Sequence, residues 1–197
     1  MNETWDIFGS LLEERLLDGV FTTEDAVRYT FFMALLDAKY CKHTDISLEI
    51  PHPTIPKAEV DLFIRAGDGR PATAVEFKFD RPIPSEKNAP RTQKAGAVFK
   101  DIFRLARVPG VNAQQRFFVY LAASEMTDYF CNPRNRLLSF FELPEGQTYP
   151  LTLAFVNEQA ATFRLVAGEW AVPCTVIGAY RHDLSGRFAL RIYRVQN

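Results

Sequence analysis

The chain of 197 residues carries 23 Lys and Arg against 24 Asp and Glu, and a net charge of −1 gives it no overall attraction to nucleic acid. Without a linker, repeat or low-complexity tract, this length predicts a single domain over residues 1–197. We expect no signal peptide and no membrane partner, because no stretch approaches the ~20 apolar residues of a membrane helix. Three widely spaced cysteines are typical of reduced thiols in a cytoplasmic protein.

The first predicted elements are a helix and a strand. Apolar residues recur at helical spacing over residues 22–39, and Thr22 with Asp25 approximates a capping box. Residues 45–50 then alternate between apolar and polar side chains, with Glu49 on the polar face, which predicts a strand.

Two further strands are predicted at residues 59–64 and 73–79, each with one apolar and one polar face. The turn between them contains two glycines and a proline, which favours a hairpin. Pairing these strands brings Asp61, Glu76 and Lys78 onto a common surface. Two carboxylates and an amine at this spacing can hold a hard divalent cation and help to activate a water. The same charges are also compatible with a purely structural, solvated hairpin.

The remaining elements follow a loop rich in proline and charge. A helix is predicted over residues 91–107, and the apolar run 116–122 has the length of a central buried strand. Helices are then predicted at 124–130 and 135–141. Strands are predicted at 151–155, 161–166, 175–180 and 188–195.

Asp61, followed by Glu76-Phe77-Lys78, resembles the active site of the PD-(D/E)XK nucleases, a superfamily with a restriction-endonuclease-like fold. The predicted order of helix, three strands, helix and strand over residues 22–123 is also that of their core. The chain departs from the motif at Val60, where the superfamily often has proline. The resemblance implies an α/β fold with a restriction-endonuclease-like core and a β-rich C-terminal extension over residues 124–197. It also implies metal-dependent hydrolysis of phosphodiester bonds in DNA or RNA.

The resemblance further implies a metal site that binds Mg²⁺ or Mn²⁺. Asp61 and Glu76 would be its acidic ligands, and the backbone carbonyl of Phe77 would add another oxygen. Some members of the superfamily place an additional acid at the start of the first helix, which corresponds to Glu24 here.

Three polar residues complete the catalytic set that the resemblance implies. Lys78 would orient the attacking water, help to deprotonate it, or stabilise charge at the phosphate. Gln93 and Lys94 lie early in the second helix, where many members of the superfamily direct a Gln or Lys towards the metal.

The charge distribution points to nucleic acid as the partner, with DNA favoured over RNA. Residues 78–107 contain eight Lys and Arg against three Asp and Glu, so this segment is +5 and the remainder is −6. A basic loop and helix after the candidate catalytic strand can receive a phosphate backbone. The distal cations, Arg104 among them, are instead expected on a solvated helix face. The candidate phosphate contacts are Arg81, Lys87, Arg91 and Lys94.

Other interpretations remain open at this point. The chain is also compatible with a catalytically inert member of the same fold that binds nucleic acid or protein, and with an unrelated α/β domain. The sequence does not distinguish a monomer from a homodimer.

Overall fold

The computed structural model describes residues 1–81, 89–111 and 115–197. These residues form seven α-helices and one seven-stranded sheet. The helices are α1 (Asn2–Leu17), α2 (Glu24–Asp37), α3 (Arg91–Ala106), α4 (Ser124–Cys131), α5 (Leu138–Phe141), α6 (Leu153–Asn157) and α7 (Ala161–Ala167). The strands are β1 (Ile46–Pro51), β2 (Glu59–Ile64), β3 (Thr73–Asp80), β4 (Arg116–Ala123), β5 (Thr148–Leu151), β6 (Cys174–Leu184) and β7 (Phe188–Gln196).

The sheet is mixed, with the strand order β1-β2-β3-β4-β7-β6-β5. Strands β3 and β4 pair in parallel, and every other neighbouring pair among the described strands is antiparallel. A parallel pair needs a crossover connection, and here α3 lies between the two strands in the chain. All eight residues of β4 are buried, as expected for the centre of a sheet covered on both faces.

Helices cover both faces of the sheet and create two separate cores. Helices α1 and α2 cover one face, where the rings of Trp5 and Phe31 stack with their centroids 4.9 Å apart. Helix α3 covers the other, together with the short helices of the C-terminal half. Val75 and Phe77 on β3 point into the first core and Ala74 into the second. Because side chains alternate along a strand, Glu76 and Lys78 point towards α3.

The predicted elements between residues 22 and 123 are confirmed to within one or two residues. Their capping differs in one detail, because the hydroxyl oxygen of Thr23, and not that of Thr22, accepts the backbone N–H of Ala26 at 3.1 Å. Helix α1 precedes these elements and adds Trp5, Phe8 and Leu12 to the core.

The extension over residues 124–197 is mixed, because three strands and four helices are described in it. The helix at 124–130 and the strands at 175–180 and 188–195 are confirmed, and the helix predicted at 135–141 is confirmed only over its last turn, as α5. The strands predicted at 151–155 and 161–166 are wrong, since most of each segment is helical, in α6 and α7.

Local contacts explain both errors. The Thr152 side chain accepts the backbone N–H of Phe155 at 3.1 Å and so caps α6. Helix α7 packs closely on α3 at Gly96, where an added Cβ would lie 2.9 Å from the carbonyl oxygen of Phe163. Among the residues in the described ranges, no helix combines the length and the apolar character needed to cross a bilayer.

Candidate active site

Asp61 and Glu76 meet where β2 and β3 stop pairing. The last residues paired at this end of the ladder are Leu62 and Val75. Asp61 is the next residue of β2 beyond this last pair. Its Oδ2 atom accepts the backbone N–H of Phe77 at 2.7 Å, so the N–H of Phe77 bonds to a side chain instead of a backbone carbonyl of β2. The carboxylate of Asp61 is thereby held beside β3, on the side from which Glu76 projects.

Glu76 is a buried acid with incomplete hydrogen bonding. The residue is 2% exposed, and no described residue donates a hydrogen bond to its Oε1 atom. Among the described residues, the cation that approaches it is the Arg104 guanidinium, with Nη2 3.9 Å from Oε1. Burial and the neighbouring Asp61 carboxylate raise the pKa of Glu76 well above its usual value. Burial also raises the pKa of Asp61, although the N–H of Phe77 counteracts this. The pair therefore concentrates negative charge where water solvates it poorly.

Arg28 of α2 is a site residue that the sequence analysis missed. Its side chain is buried, and Nη2 lies 3.2 Å from Asp61 Oδ1. Its Nη1 donates to Glu49 Oε1 at 2.7 Å and lies 3.6 Å from Asp25 Oδ1. Glu49, whose backbone φ is +51°, thus reaches the site through Arg28. Arg28 therefore contacts Asp61 Oδ1, one of the two carboxylate oxygens that could bind a metal.

Lys78 forms an ion pair with Glu24. The Lys78 Nζ atom lies 3.3 Å from Glu24 Oε2, which also accepts the backbone N–H of Phe79 at 2.9 Å. Burial lowers the pKa of Lys78, but the carboxylates of Glu24, Asp101 and Asp80 outweigh burial and raise it overall. Lys78 is therefore a cation at neutral pH.

In this structure Glu24 pairs with Lys78 and is not a neighbour that completes a metal site with Asp61 and Glu76. Within residues 1–81, 89–111 and 115–197, no three His, Cys, Asp or Glu side chains come together as metal ligands. Among the described residues, the candidate centre therefore has the two acids Asp61 and Glu76.

Helix α3 contributes Asp101 and Arg104 to the site. Asp101 Oδ1 lies 3.2 Å from Arg104 Nη1, and Arg104 Nη2 donates to the Glu59 carbonyl at 2.6 Å. Burial raises the pKa of Asp101 to about 6, although Lys78 and Arg104 counteract this. The expectation that Arg104 lies on a solvated face is wrong, because this side chain turns inward onto β2 and β3.

Lys94 lies on the inner face of α3, whereas Gln93 is exposed. Lys94 is partly buried, and no described residue accepts a hydrogen bond from its Nζ atom. Its charge lowers the pKa of Asp80, although burial dominates and raises that pKa overall. Asp80 also accepts a hydrogen bond from the buried Tyr120 hydroxyl at 3.1 Å. Lys94 therefore approaches the Asp80 end of β3, beyond Lys78.

Two other candidate phosphate contacts, Arg81 and Arg91, each contact another side chain of the protein. The Arg81 guanidinium lies over the ring of Phe21, 4.1 Å from its centroid. The exposed Arg91 bonds to Glu125 at 2.9 Å. Lys87 lies outside the described residues.

A scan of the chain against protein-family models found no match, and comparisons with curated proteins and with solved structures found none either. Its function is therefore inferred from its own residues and their geometry.

Proposed function

We propose that the chain is a metal-dependent nuclease of the PD-(D/E)XK type, with a restriction-endonuclease-like core. The observation that carries the proposal is the buried Glu76 beside the partly buried Asp61, with Lys78 two residues after Glu76 on the same strand. The order of α2, β1, β2, β3, α3 and β4 supports it, because this is the element order of that core.

The donor chemistry of the pair fits Mg²⁺ or Mn²⁺. Burial and the neighbouring Asp61 carboxylate raise the pKa of Glu76, and one of the Glu76 oxygens has no hydrogen-bond donor among the described residues. Divalent cations of this kind prefer carboxylate and carbonyl oxygens, which Asp61, Glu76 and the Phe77 carbonyl would supply. When bound, such an ion neutralises phosphate charge and lowers the pKa of a coordinated water.

The carboxylates around Lys78 support an electrostatic role for it. Because its pKa is raised, Lys78 carries its proton at neutral pH and is poorly suited to remove one from water. It is suited to stabilising the negative charge that develops on phosphate oxygens in the transition state. Glu24 of α2 contacts the ammonium group, and the Asp101 carboxylate of α3 adds to the negative charge around it.

A second candidate function is favoured by one observation. The guanidinium groups of Arg28 and Arg104 already lie beside Asp61 and Glu76, at 3.2 and 3.9 Å. Arginines that replace the metal as charge partners would leave an inert domain that binds nucleic acid through its remaining cations. The two candidates differ in their response to divalent metal.

The test is cleavage of a panel of single- and double-stranded DNA and RNA in Mg²⁺ and in Mn²⁺. Asp61→Ala, Glu76→Ala and Lys78→Ala should each abolish cleavage, with circular dichroism showing that each variant folds. Asp37→Ala, at an exposed position at the end of α2, is the matched control and should cleave like the wild type. A wild type that binds but never cleaves would support the inert domain instead.

A further inference from the structure

A cleft of about 380 Å³ opens beside Asp61, on the same side as the candidate metal pair. Its walls come from three separate parts of the chain: the loop before β2, helix α3, and the short turn after α7. The side chains that matter here are Lys57, Lys100, Arg104 and Trp170. Of these side chains, Lys57, Lys100 and Trp170 have no part in the proposed catalytic site.

Hydrogen bonds of His52 tie the loop that carries Lys57 to α3. The His52 ring accepts the backbone N–H groups of Thr54 and Ile55 at its Nδ1 atom, both at 3.2 Å. Because Nδ1 is an acceptor, Nε2 carries the proton and donates to the Arg104 carbonyl at 3.1 Å. These bonds fasten the loop to the last turn of α3. Within it, Lys57 has a backbone φ of +62°, an uncommon conformation for a residue with a side chain.

Trp170 and Lys100 form the opposite wall. The Lys100 Nζ atom lies 5.6 Å from the centroid of the Trp170 ring, within the range of a cation–π contact. Trp170 is partly buried and packs against the core beneath α3, so its position is fixed while part of its surface faces the cleft.

The wall chemistry suits a nucleotide. Three cations line the cleft against two acids, Glu59 and Asp61, and Asp61 belongs to the candidate metal pair. Metal on that pair would leave the cleft positive and able to receive phosphates. An indole ring beside phosphate-binding cations is the combination that stacks an unpaired base while holding its backbone. A base inside a duplex is already stacked and cannot lie on the indole without leaving the helix.

We infer that this cleft binds the unpaired nucleotide next to the scissile phosphate, with Lys57 and Lys100 on its phosphates and Trp170 against its base. This inference rests on the proposed nuclease function and narrows its substrate class to single strands, frayed ends and junctions with unpaired nucleotides.

The test compares binding of a fluorescein-labelled 20-nucleotide dT strand with that of a labelled duplex of equal length. Fluorescence anisotropy across a salt series is used with Ca²⁺ in place of Mg²⁺, so that binding is measured with little cleavage. Lys57→Ala and Lys100→Ala should each reduce the salt slope by about one unit. Lys39→Ala is the matched control, because Lys39 is also exposed and has a φ of +51°, but it follows α2.

Trp170→Leu should weaken dT binding by roughly 5- to 150-fold, the range expected for one lost stacking contact, and should change duplex binding much less. Trp170→Phe keeps an aromatic surface and should retain most of the affinity. Tyr29→Leu, at an exposed aromatic residue of α2, should bind like the wild type.

Two outcomes separate this inference from the proposed function. Wild-type cleavage, together with Lys57, Lys100 and Trp170 variants that bind like their controls, would overturn the cleft assignment and leave the nuclease intact. Equal weakening of strand and duplex binding by Trp170→Leu would also overturn it. A wild type that neither binds nor cleaves any probe would overturn both.

Discussion

Replacing Glu76 with Gln separates a metal ligand from a structural acid. Gln has nearly the same shape but no charge, so Glu76→Gln removes a carboxylate that is buried beside Asp61 and has an oxygen without a donor among the described residues. We predict that this variant is more stable than the wild type in the absence of metal and is inactive. Sites kept for function are commonly less stable than the fold would allow.

The direction of the gain follows from opposing charges, and its expected size from what single stabilising substitutions commonly yield. At 3.9 Å and an effective dielectric of 20, attraction between Glu76 and Arg104 is about 4 kcal/mol. Burial adds a penalty of several kcal/mol, and repulsion from Asp61 raises the pKa of Glu76 by more than the attraction to Arg104 lowers it. The pKa of Glu76 is raised, so repulsion and burial together outweigh the attraction to arginine. A net gain of about 1–2 kcal/mol corresponds to a Tm increase of roughly 2–8 °C for a domain of this size.

The gain should depend on pH in a defined direction. An acid whose pKa is raised by folding is stabilising only while it is protonated, so the wild type loses stability as pH rises from its usual pKa of 4.5 through the folded value. Glu76→Gln should therefore exceed the wild type most at pH 8 and least near pH 4.5.

Thermal unfolding followed by circular dichroism, with and without Mg²⁺, measures both effects. At a Mg²⁺ concentration 100 times its Kd, the wild type should gain about 2.7 kcal/mol, and Glu76→Gln should gain little. Glu125→Gln is the control, because Glu125 forms an ion pair with Arg91 and lies outside the candidate metal site. It should match the wild type in Tm and in the gain from Mg²⁺. A lower Tm for Glu76→Gln at pH 8, with an undiminished Mg²⁺ effect, would refute the reasoning and make Glu76 a structural partner of Arg104.

Three further predictions concern separate features. Lys78→Met should abolish cleavage while Lys78→Arg retains a measurable fraction, since charge is its proposed contribution; equal loss in single-turnover assays would contradict this. Gly96→Ala should lower the urea midpoint of unfolding, because the added Cβ would lie 2.9 Å from the Phe163 carbonyl oxygen, and this outweighs the helix preference of alanine. An unchanged midpoint would show that α7 can move away without cost. Burial lowers the pKa of His52 below its usual 6.5, so its contribution to stability is full above pH 6.5 and is lost as pH falls. His52→Ala should flatten the unfolding profile between pH 5 and 7, and a profile like that of the exposed-site control His43→Ala would contradict this.

The strands that carry Asp61 and Glu76 could be predicted because their signal is local. Alternation over a few residues predicts the strands, and a glycine-rich turn predicts the hairpin between them. The face of each residue is less secure, because Val60 packs in the core beneath α3 and Leu62 in the core beneath α1 and α2. The same reasoning places Glu76 and Lys78 on one face of β3, as the structure has them. Helix α1 carried a usable signal as well, since Trp5, Phe8 and Leu12 recur at helical spacing.

The contacts of the arginines could not be predicted, because they join elements that are distant in sequence. Arg28 bonds to Asp61 across 33 positions, and Arg104 bonds to the Glu59 carbonyl across 45. Periodicity places a residue on a face of its own helix but does not say which strand that face meets. A signal for Asp101 existed, because it lies seven residues after Lys94 and so on the same face of α3.

Helices α6 and α7 were mistaken for strands for a different reason. Short apolar segments are ambiguous between the two states, and tertiary contacts decide between them. For α7, the deciding contact is with Gly96 of α3, 67 residues before Phe163 in the chain.

The most direct test of the central claim is a crystal structure of the protein soaked in Mn²⁺, with anomalous diffraction used to locate the ion. We predict an anomalous peak within coordination distance of both Asp61 and Glu76, with the Arg28 guanidinium displaced from the Asp61 oxygen that it now contacts. If the peak is absent at saturating Mn²⁺, and both carboxylates remain beside Arg28 and Arg104, the metal-dependent nuclease is contradicted.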